Sequence, residues 1–237
     1  MSAAFPTDDL GPADDLGPAY PPPRSVRPGQ PGLANHPDGP LVVPGLALPM
    51  AWYGRPATTE VTGDGELVIA AGPDTDLFAD PAGTEQTLTA SFLAGRPAGD
   101  FVFSARVRVG FETTFDAGAL LVWAHDRAWA KLCFEYSPQG RPTVVSVVTR
   151  GVSDDCNSFA VDGDTVWLRI ARLDATFAFH ASVDGVYWHL VRHFALDPAD
   201  EMAVGVLAQS PTGIGCQAGF GALRLVERRL SDLRDGS

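Results

Sequence analysis

Lysine is almost missing from this chain of 237 residues: Lys131 stands alone, and Lys and Arg together number 17 against 29 Asp and Glu, a formal net charge of −12 at pH 7. A surface of that sign repels phosphate backbones and anionic lipid, and no local basic patch offsets it, so neither nucleic acid nor a membrane surface is an expected partner. No apolar run approaches the roughly 18–20 residues of a spanning helix. Cysteine is also scarce. Cys133, Cys156 and Cys216 are an odd number at wide spacings, with no CxxC or zinc-ribbon pattern. They read as reduced, mostly buried thiols of a cytoplasmic protein. The start, Met1 to Asp9, lacks the basic and apolar regions of a secretory signal. There is no glycine-rich strand–helix turn of the P-loop or dinucleotide type. No stretch of ten or more residues has helical periodicity with both a start and a stop signal. The scarcity of Lys beside abundant Arg, Ala, Gly and Pro suggests a GC-rich, actinobacterial genome, an inference about codons.

What is present is β patterning. Phe101, Phe103, Ala105, Val107 and Val109 alternate with Val102, Ser104, Arg106 and Arg108. Period two with one polar face marks a half-buried strand. Leu132, Phe134 and Tyr136 alternate with Lys131, Cys133 and Glu135. Val166, Leu168 and Ile170 do so with Trp167, Arg169 and Ala171, as do Phe177, Phe179, Ala181 and Val183 with Ala178, His180 and Ser182. Further strands are expected at 66–71, 87–93, 118–124, 142–149, 187–194, 202–209 and 216–226. Gly63-Asp64-Gly65, Ser137-Pro138-Gln139-Gly140, Asp162-Gly163-Asp164 and Asp184-Gly185 supply turn chemistry between strands. One short turn is expected over Asp197–Glu201. So many strands without crossover helices predict an all-β fold of two stacked antiparallel sheets over residues 41–228. Residues 1–40 hold ten of the 20 prolines and a tandem Asp-Asp-Leu-Gly-Pro-Ala hexamer, starting at Asp8 and again at Asp14. They read as a disordered tail, with the repeat as slippage or as a protein-docking motif. Residues 229–237 read as a frayed end.

Four pieces in order carry a resemblance. They are Lys131-Leu132-Cys133-Phe134-Glu135-Tyr136, Ser146–Asp154 (SVVTRGVSD), Trp167-Leu168-Arg169-Ile170-Ala171-Arg172 and Ser182–Trp188 (SVDGVYW). Over residues 45–226 the chain resembles the regulation-of-enolase-like proteins, a family largely without assigned activity in the concanavalin A-like lectin/glucanase superfamily. The resemblance implies a concanavalin A-like β-sandwich, a jelly roll, whose concave sheet in the superfamily commonly binds carbohydrate. The family pattern continues Ser-Asp with Trp, where this chain has Asp155-Cys156.

Candidate chemistry is sparse. Retaining glycoside hydrolysis needs two carboxyl groups about 5–5.5 Å apart, and alternate residues on one strand face are about 6.7 Å apart. The resulting Glu-x-Asp-x-x-Glu string is absent, so the chain reads as non-catalytic, an enzyme assembled from several strands being the alternative. Lys131 and Glu135 share a strand face, where they bracket a polar ligand or join a salt-bridge network with Arg169. Thr149, Ser153 and Asp154 sit where a strand runs into a polar loop. There Asp154 holds a turn, accepts hydrogen bonds from sugar hydroxyls, or shares a structural Ca²⁺ with Asp155; calcium needs six to eight oxygens, more than this sequence visibly offers. Trp167 lies on the polar side of its strand and is the aromatic best placed to stack on a sugar, whereas Trp188 reads as packing. His189 and His193 form His-x-x-x-His, but on a strand they stand about 13 Å apart, too far for one metal. Cys156 has no adjacent His to activate it. The expected lining of a concave binding face is therefore Lys131, Glu135, Thr149, Asp154, Trp167, Arg169 and His180. The expected function is a non-catalytic module for a carbohydrate-like or polar small ligand, or a regulatory interaction domain.

Overall fold

The computed structural model describes residues 40–237 apart from 44, 56, 84 and 197–201. The proline-rich tail with its hexamer repeat and the Asp197–Glu201 turn lie outside the described residues. Sixteen strands follow one another: β1 (Ala51–Tyr53), β2 (Thr58–Val61), β3 (Leu67–Ala71), β4 (Leu77–Ala79), β5 (Gln86–Leu88), β6 (Phe92–Gly95), β7 (Phe101–Gly110), β8 (Ala117–His125), β9 (Ala128–Tyr136), β10 (Pro142–Arg150), β11 (Val152–Ala160), β12 (Thr165–Leu173), β13 (Thr176–Ser182), β14 (His189–Ala195), β15 (Ala203–Gln209) and β16 (Cys216–Val226). The described residues contain no helix, so none is long and apolar enough to cross a membrane.

Two seven-stranded antiparallel sheets face each other. The first runs β1-β6-β15-β8-β9-β10-β11 and the second β14-β13-β12-β7-β16-β3-β2. Alternation decides what lies between them. Phe101, Phe103, Ala105, Val107 and Val109 of β7 and Val166, Leu168 and Ile170 of β12 meet Ala130, Leu132 and Phe134 of β9 in one core. Val144 and Val148 of β10 and Phe177 and Phe179 of β13 complete this part of it. Gly118 belongs to the same packing, because a Cβ there would lie 2.9 Å from both Ala218 and Val107.

The outer face of the first sheet is apolar as well. Ala117, Ala119, Leu121, Trp129, Cys133, Val145 and Val147 form a second cluster with Leu77, packed against Phe78 and Leu88. The β4–β5 hairpin brings these last three residues and lies over the sheet. This cover explains why β8, β9 and β10 are buried on nearly every residue, where a half-exposed strand would alternate.

Two expectations change. The polar stretch after Gly151 is not a loop: Val152–Ala160 is β11, paired to β10 through a turn at Gly151 (φ 82°). As the edge strand of its sheet it buries little, so it carries no hydrophobic alternation to announce it. The far end does not fray. Leu230 is 4% exposed and packs on Val102, Ala171, Leu173 and Ala178 of the second sheet, with Leu233 beside it. Arg229 donates to the carboxylates of Asp174 (2.8 Å) and Asp100 (3.2 Å). Apolar side chains at 230 and 233 find an uncovered sheet face, which the polar composition around them conceals.

Candidate functional site

An open cavity of about 290 Å³ lies on the outer face of the first sheet, between β9–β11 and the β4–β5 hairpin. Lys131 forms its base. The side chain is 2% exposed, and its ammonium donates to Asp76 Oδ1 at 3.0 Å and Gln209 Oε1 at 2.8 Å. Asp76 Oδ1 also accepts the backbone N–H of Leu77 at 2.8 Å. Burial pulls the ammonium's pKa down, but the charges of Asp76 and Glu135 and the thiol of Cys133 more than reverse that, so Lys131 stays charged well above its ordinary range.

Glu135 and Asp155 line the same cavity. Burial pushes the Glu135 carboxyl up to about 8; Lys131 opposes the rise, and the like charges of Asp155 and Asp76 add to it. Its carboxyl group makes no side-chain hydrogen bond or ion pair with the described residues. Asp155 is raised too, chiefly by burial. Asp80 and Thr87 add polar groups, and Phe78, Phe115, Val147 and Pro211 add apolar wall. Counting ordinary charges, four carboxylates face one ammonium.

The rim beside Phe115 is fixed by a buried carboxylate. Asp116, fully buried, accepts the N–H groups of Glu112 (3.0 Å) and Thr113 (2.8 Å) and the hydroxyl of Ser210 (2.6 Å). Ser210 is in turn paired with Thr75, next to Asp76. Phe115 itself holds φ 71°, a left-handed conformation uncommon for a bulky residue and concentrated at binding sites. The two partners of Lys131, on segments 133 residues apart (76 and 209), are thereby held by one hydrogen-bonded network.

The seven residues expected to line one face are divided. Lys131 and Glu135 do share the cavity. Thr149 is on the same outer face but lies buried beneath β4: its hydroxyl meets Ser153 Oγ at 2.9 Å, and Ser153 accepts the Ala79 N–H at 2.9 Å. Asp154 points to the other side of β11 and pairs with Arg192 of the second sheet at 3.0 Å. Successive strand residues face opposite ways, so Asp154 and Asp155 do not converge as a calcium pair, and Asp155 is the one in the cavity. Trp167, Arg169 and His180 lie on the far side of the sandwich, on the outer face of the second sheet. They therefore form no network with Lys131 and Glu135. Trp167 is not a free stacking plane, because the Gly185 turn lies against its ring. Arg169 stacks over Trp188, 4.1 Å from the ring centroid. Sequence reasoning missed Asp76, Gln209, Phe78 and Phe115 and weighed Asp155 only as a calcium partner of Asp154; only the single lysine amid a strand, which demands a counter-charge when buried, hinted at the rest. His189 and His193 are on β14, and among the described residues no group of three or more His, Cys, Asp and Glu is arranged to hold a metal.

The fold is shared with known structures. A functionally unknown protein from Saccharomyces cerevisiae is 24% identical, with a TM-score of 0.69 over 75% of this chain and 95% of that one. The GH43 BlXynB protein from Bacillus licheniformis is 14% identical, with a TM-score of 0.62 over 76% of this chain. Xylan β-1,4-xylosidase from Bacillus halodurans C-125 is 16% identical, with a TM-score of 0.61 over 89% of this chain. The matched parts make up only 37% and 41% of those two Bacillus proteins. At such identities the likeness establishes the concanavalin-like β-sandwich. No curated protein matches. Residues 52–228 match the family model described as "Protein of unknown function (DUF1349)", and the chain belongs to that family.

Proposed function

We propose that this DUF1349 protein is a non-catalytic binding module that holds a neutral, polyhydroxylated ligand, carbohydrate-like and of monosaccharide size, in the cavity over Lys131. The observation that carries the reading is the pairing of the unengaged Glu135 carboxyl with aromatic wall. The Lys131 ammonium is already held by Asp76 and Gln209. Glu135 and Asp155 are left to exchange hydrogen bonds with a ligand beside Phe78 and Phe115. A mostly apolar wall with a few convergent polar groups is the common form of a small-molecule site, and about 290 Å³ lies just below the usual range of about 300–1,000 Å³, which suits a ligand of monosaccharide size. The excess of carboxyl groups disfavours anionic ligands. One structural neighbour is named a xylan β-1,4-xylosidase, which makes pentoses a sensible first arm of a screen.

The test is calorimetry and thermal shift with D-xylose, L-arabinose and D-glucose, against glucuronate and glucosamine. At least one neutral sugar should bind, glucuronate should not bind in this cavity, and Glu135→Ala and Lys131→Ala should each weaken binding at least tenfold. A response to neutral sugar that Glu135→Ala leaves unchanged would remove the cavity from the reading. One observation favours an enzyme instead: Glu135 and Asp155 are two carboxyls with raised proton affinity in one cavity, the form of an acid–base pair. Turnover of a bound sugar, lost in Glu135→Gln, would replace the binding module by that alternative.

A further inference from the structure

Arg169 and His180 sit opposite each other in the register of β12 and β13, on the outer face of the second sheet. Arg169 is 5% exposed and His180 is fully buried. Among the described residues, neither Nε nor Nη2 of Arg169 meets an acceptor, and His180 Nδ1 meets no donor. Buried guanidinium N–H groups are seldom left so, because an unmet buried donor loses its hydration without compensation, and a charged one loses more. These two nitrogens form the side-on edge of the guanidinium, whose parallel N–H bonds match the two oxygens of a carboxylate. The nearest charges do not supply that partner. Arg228 repels the guanidinium, and Asp235 acts on it only through space, with no ion pair.

His180 completes the pattern. Its Nε2 is 2.7 Å from the carbonyl oxygen of Leu233, which only accepts, so Nε2 carries the proton and donates. Burial pushes this imidazole down to about 4, against the pull of that carbonyl, and it is neutral at physiological pH. Nδ1 is thus an acceptor beside a pair of donors. The C-terminal segment covers the group. Leu230 and Leu233 pack on the sheet, and Gly236 lies so close to Arg169 Nη2 that a Cβ there would overlap it. Only glycine fits at that point, at φ 77°.

We infer a second binding site here, on the face opposite the Lys131 cavity, for a small hydroxycarboxylate: the carboxylate on the Nε–Nη2 edge of Arg169, a hydroxyl donating to His180 Nδ1, and residues 234–237 as a cover that moves aside while Leu233 keeps its bond to His180 Nε2. This site does not depend on the sugar reading of the first cavity. Its binding-competent state is the uncovered one, so weakening the cover tightens binding.

The experiment uses the full chain with D-gluconate as probe, acetate and D-glucitol as controls, and ¹⁵N-histidine NMR with calorimetry as readouts. Gluconate should shift the His180 Nδ1 resonance, acetate should act more weakly, and glucitol should leave it in place. Ser231→Ala, which removes the side-chain bond to Ser237 that ties down the terminal residues, should tighten gluconate binding several-fold. Arg169→Lys, which keeps the charge but not the planar edge, should weaken it at least tenfold, while Glu135→Ala in the other cavity should not alter it. No gluconate response at His180 in both the native chain and Ser231→Ala would overturn the inference. So would a response that survives Arg169→Lys unchanged, or one that glucitol reproduces.

Discussion

Each sheet carries one buried cation on its outer face, and the two are handled in opposite ways. Lys131 is held by Asp76 and Gln209 and lies at the base of an open cavity. Arg169 stacks on Trp188 with two N–H groups unmatched, and the chain's own C-terminal segment covers it. The contrast teaches that an outward polar position on a strand means little until its cover is known. The β4–β5 hairpin brings a carboxylate to Lys131, whereas the C-terminal segment brings backbone carbonyl and glycine to Arg169 and His180.

Removing a partner should expose this asymmetry most strongly. Asp76→Ala leaves buried Lys131 with the Gln209 amide as its one remaining hydrogen-bond partner, and chemical denaturation should show a loss of about 3 kcal/mol, the usual cost of breaking a buried pair. Arg169→Met, which removes a cation with no matched carboxylate, should change stability by less than about 1 kcal/mol in either direction. If Arg169→Met costs as much as Asp76→Ala, the two cations are not differently satisfied.

The next effect is a pH dependence that arises on the cavity side. The Glu135 carboxyl binds its proton more tightly folded, at about 8, than unfolded, near its ordinary 4.5. Its contribution is therefore complete below about pH 4.5 and disappears as pH rises through 8. Glu135→Gln should abolish that decline and be more stable than the native chain at pH 9 by about 1–2 kcal/mol, a figure reduced for partial solvation. Urea melts at pH 5 and pH 9 measure it; equal pH slopes for the two chains would show that Glu135 is not held protonated. The smallest effect belongs to the sheet edges. Asp154 is 62% exposed in its pair with Arg192, so Asp154→Ala should cost at most about 1 kcal/mol and leave sugar binding intact. A loss of binding in Asp154→Ala would move the site toward the edge of β11.

Much of the fold was legible. Phe101–Val109, Leu132–Phe134, Val166–Ile170 and Phe177–Ala181 declare by alternation which side of each strand meets the core, and the core is built from those sides. The stretch 87–93 was legible only as one strand; it divides into β5 and β6, one on the hairpin and one in the sheet. β11 was not legible, because an edge strand made of Ser, Asp, Cys and Asn has no buried face to mark it. Of the candidate site, Lys131 and Glu135 could be found as charged residues within an apolar strand. Asp76 and Gln209 could not, since the hydrogen bonds that select them close across 55 and 78 residues of chain.

By itself, the sequence determined the layered β architecture and which residues share a face of any one strand, because a pleat of period two is a local property of the backbone. Only the tertiary structure decided which sheet each strand joined and what came to lie over its outer face. Those choices depend on contacts between distant segments, and they separated Lys131 and Glu135 from Arg169 and His180 by the full thickness of the sandwich.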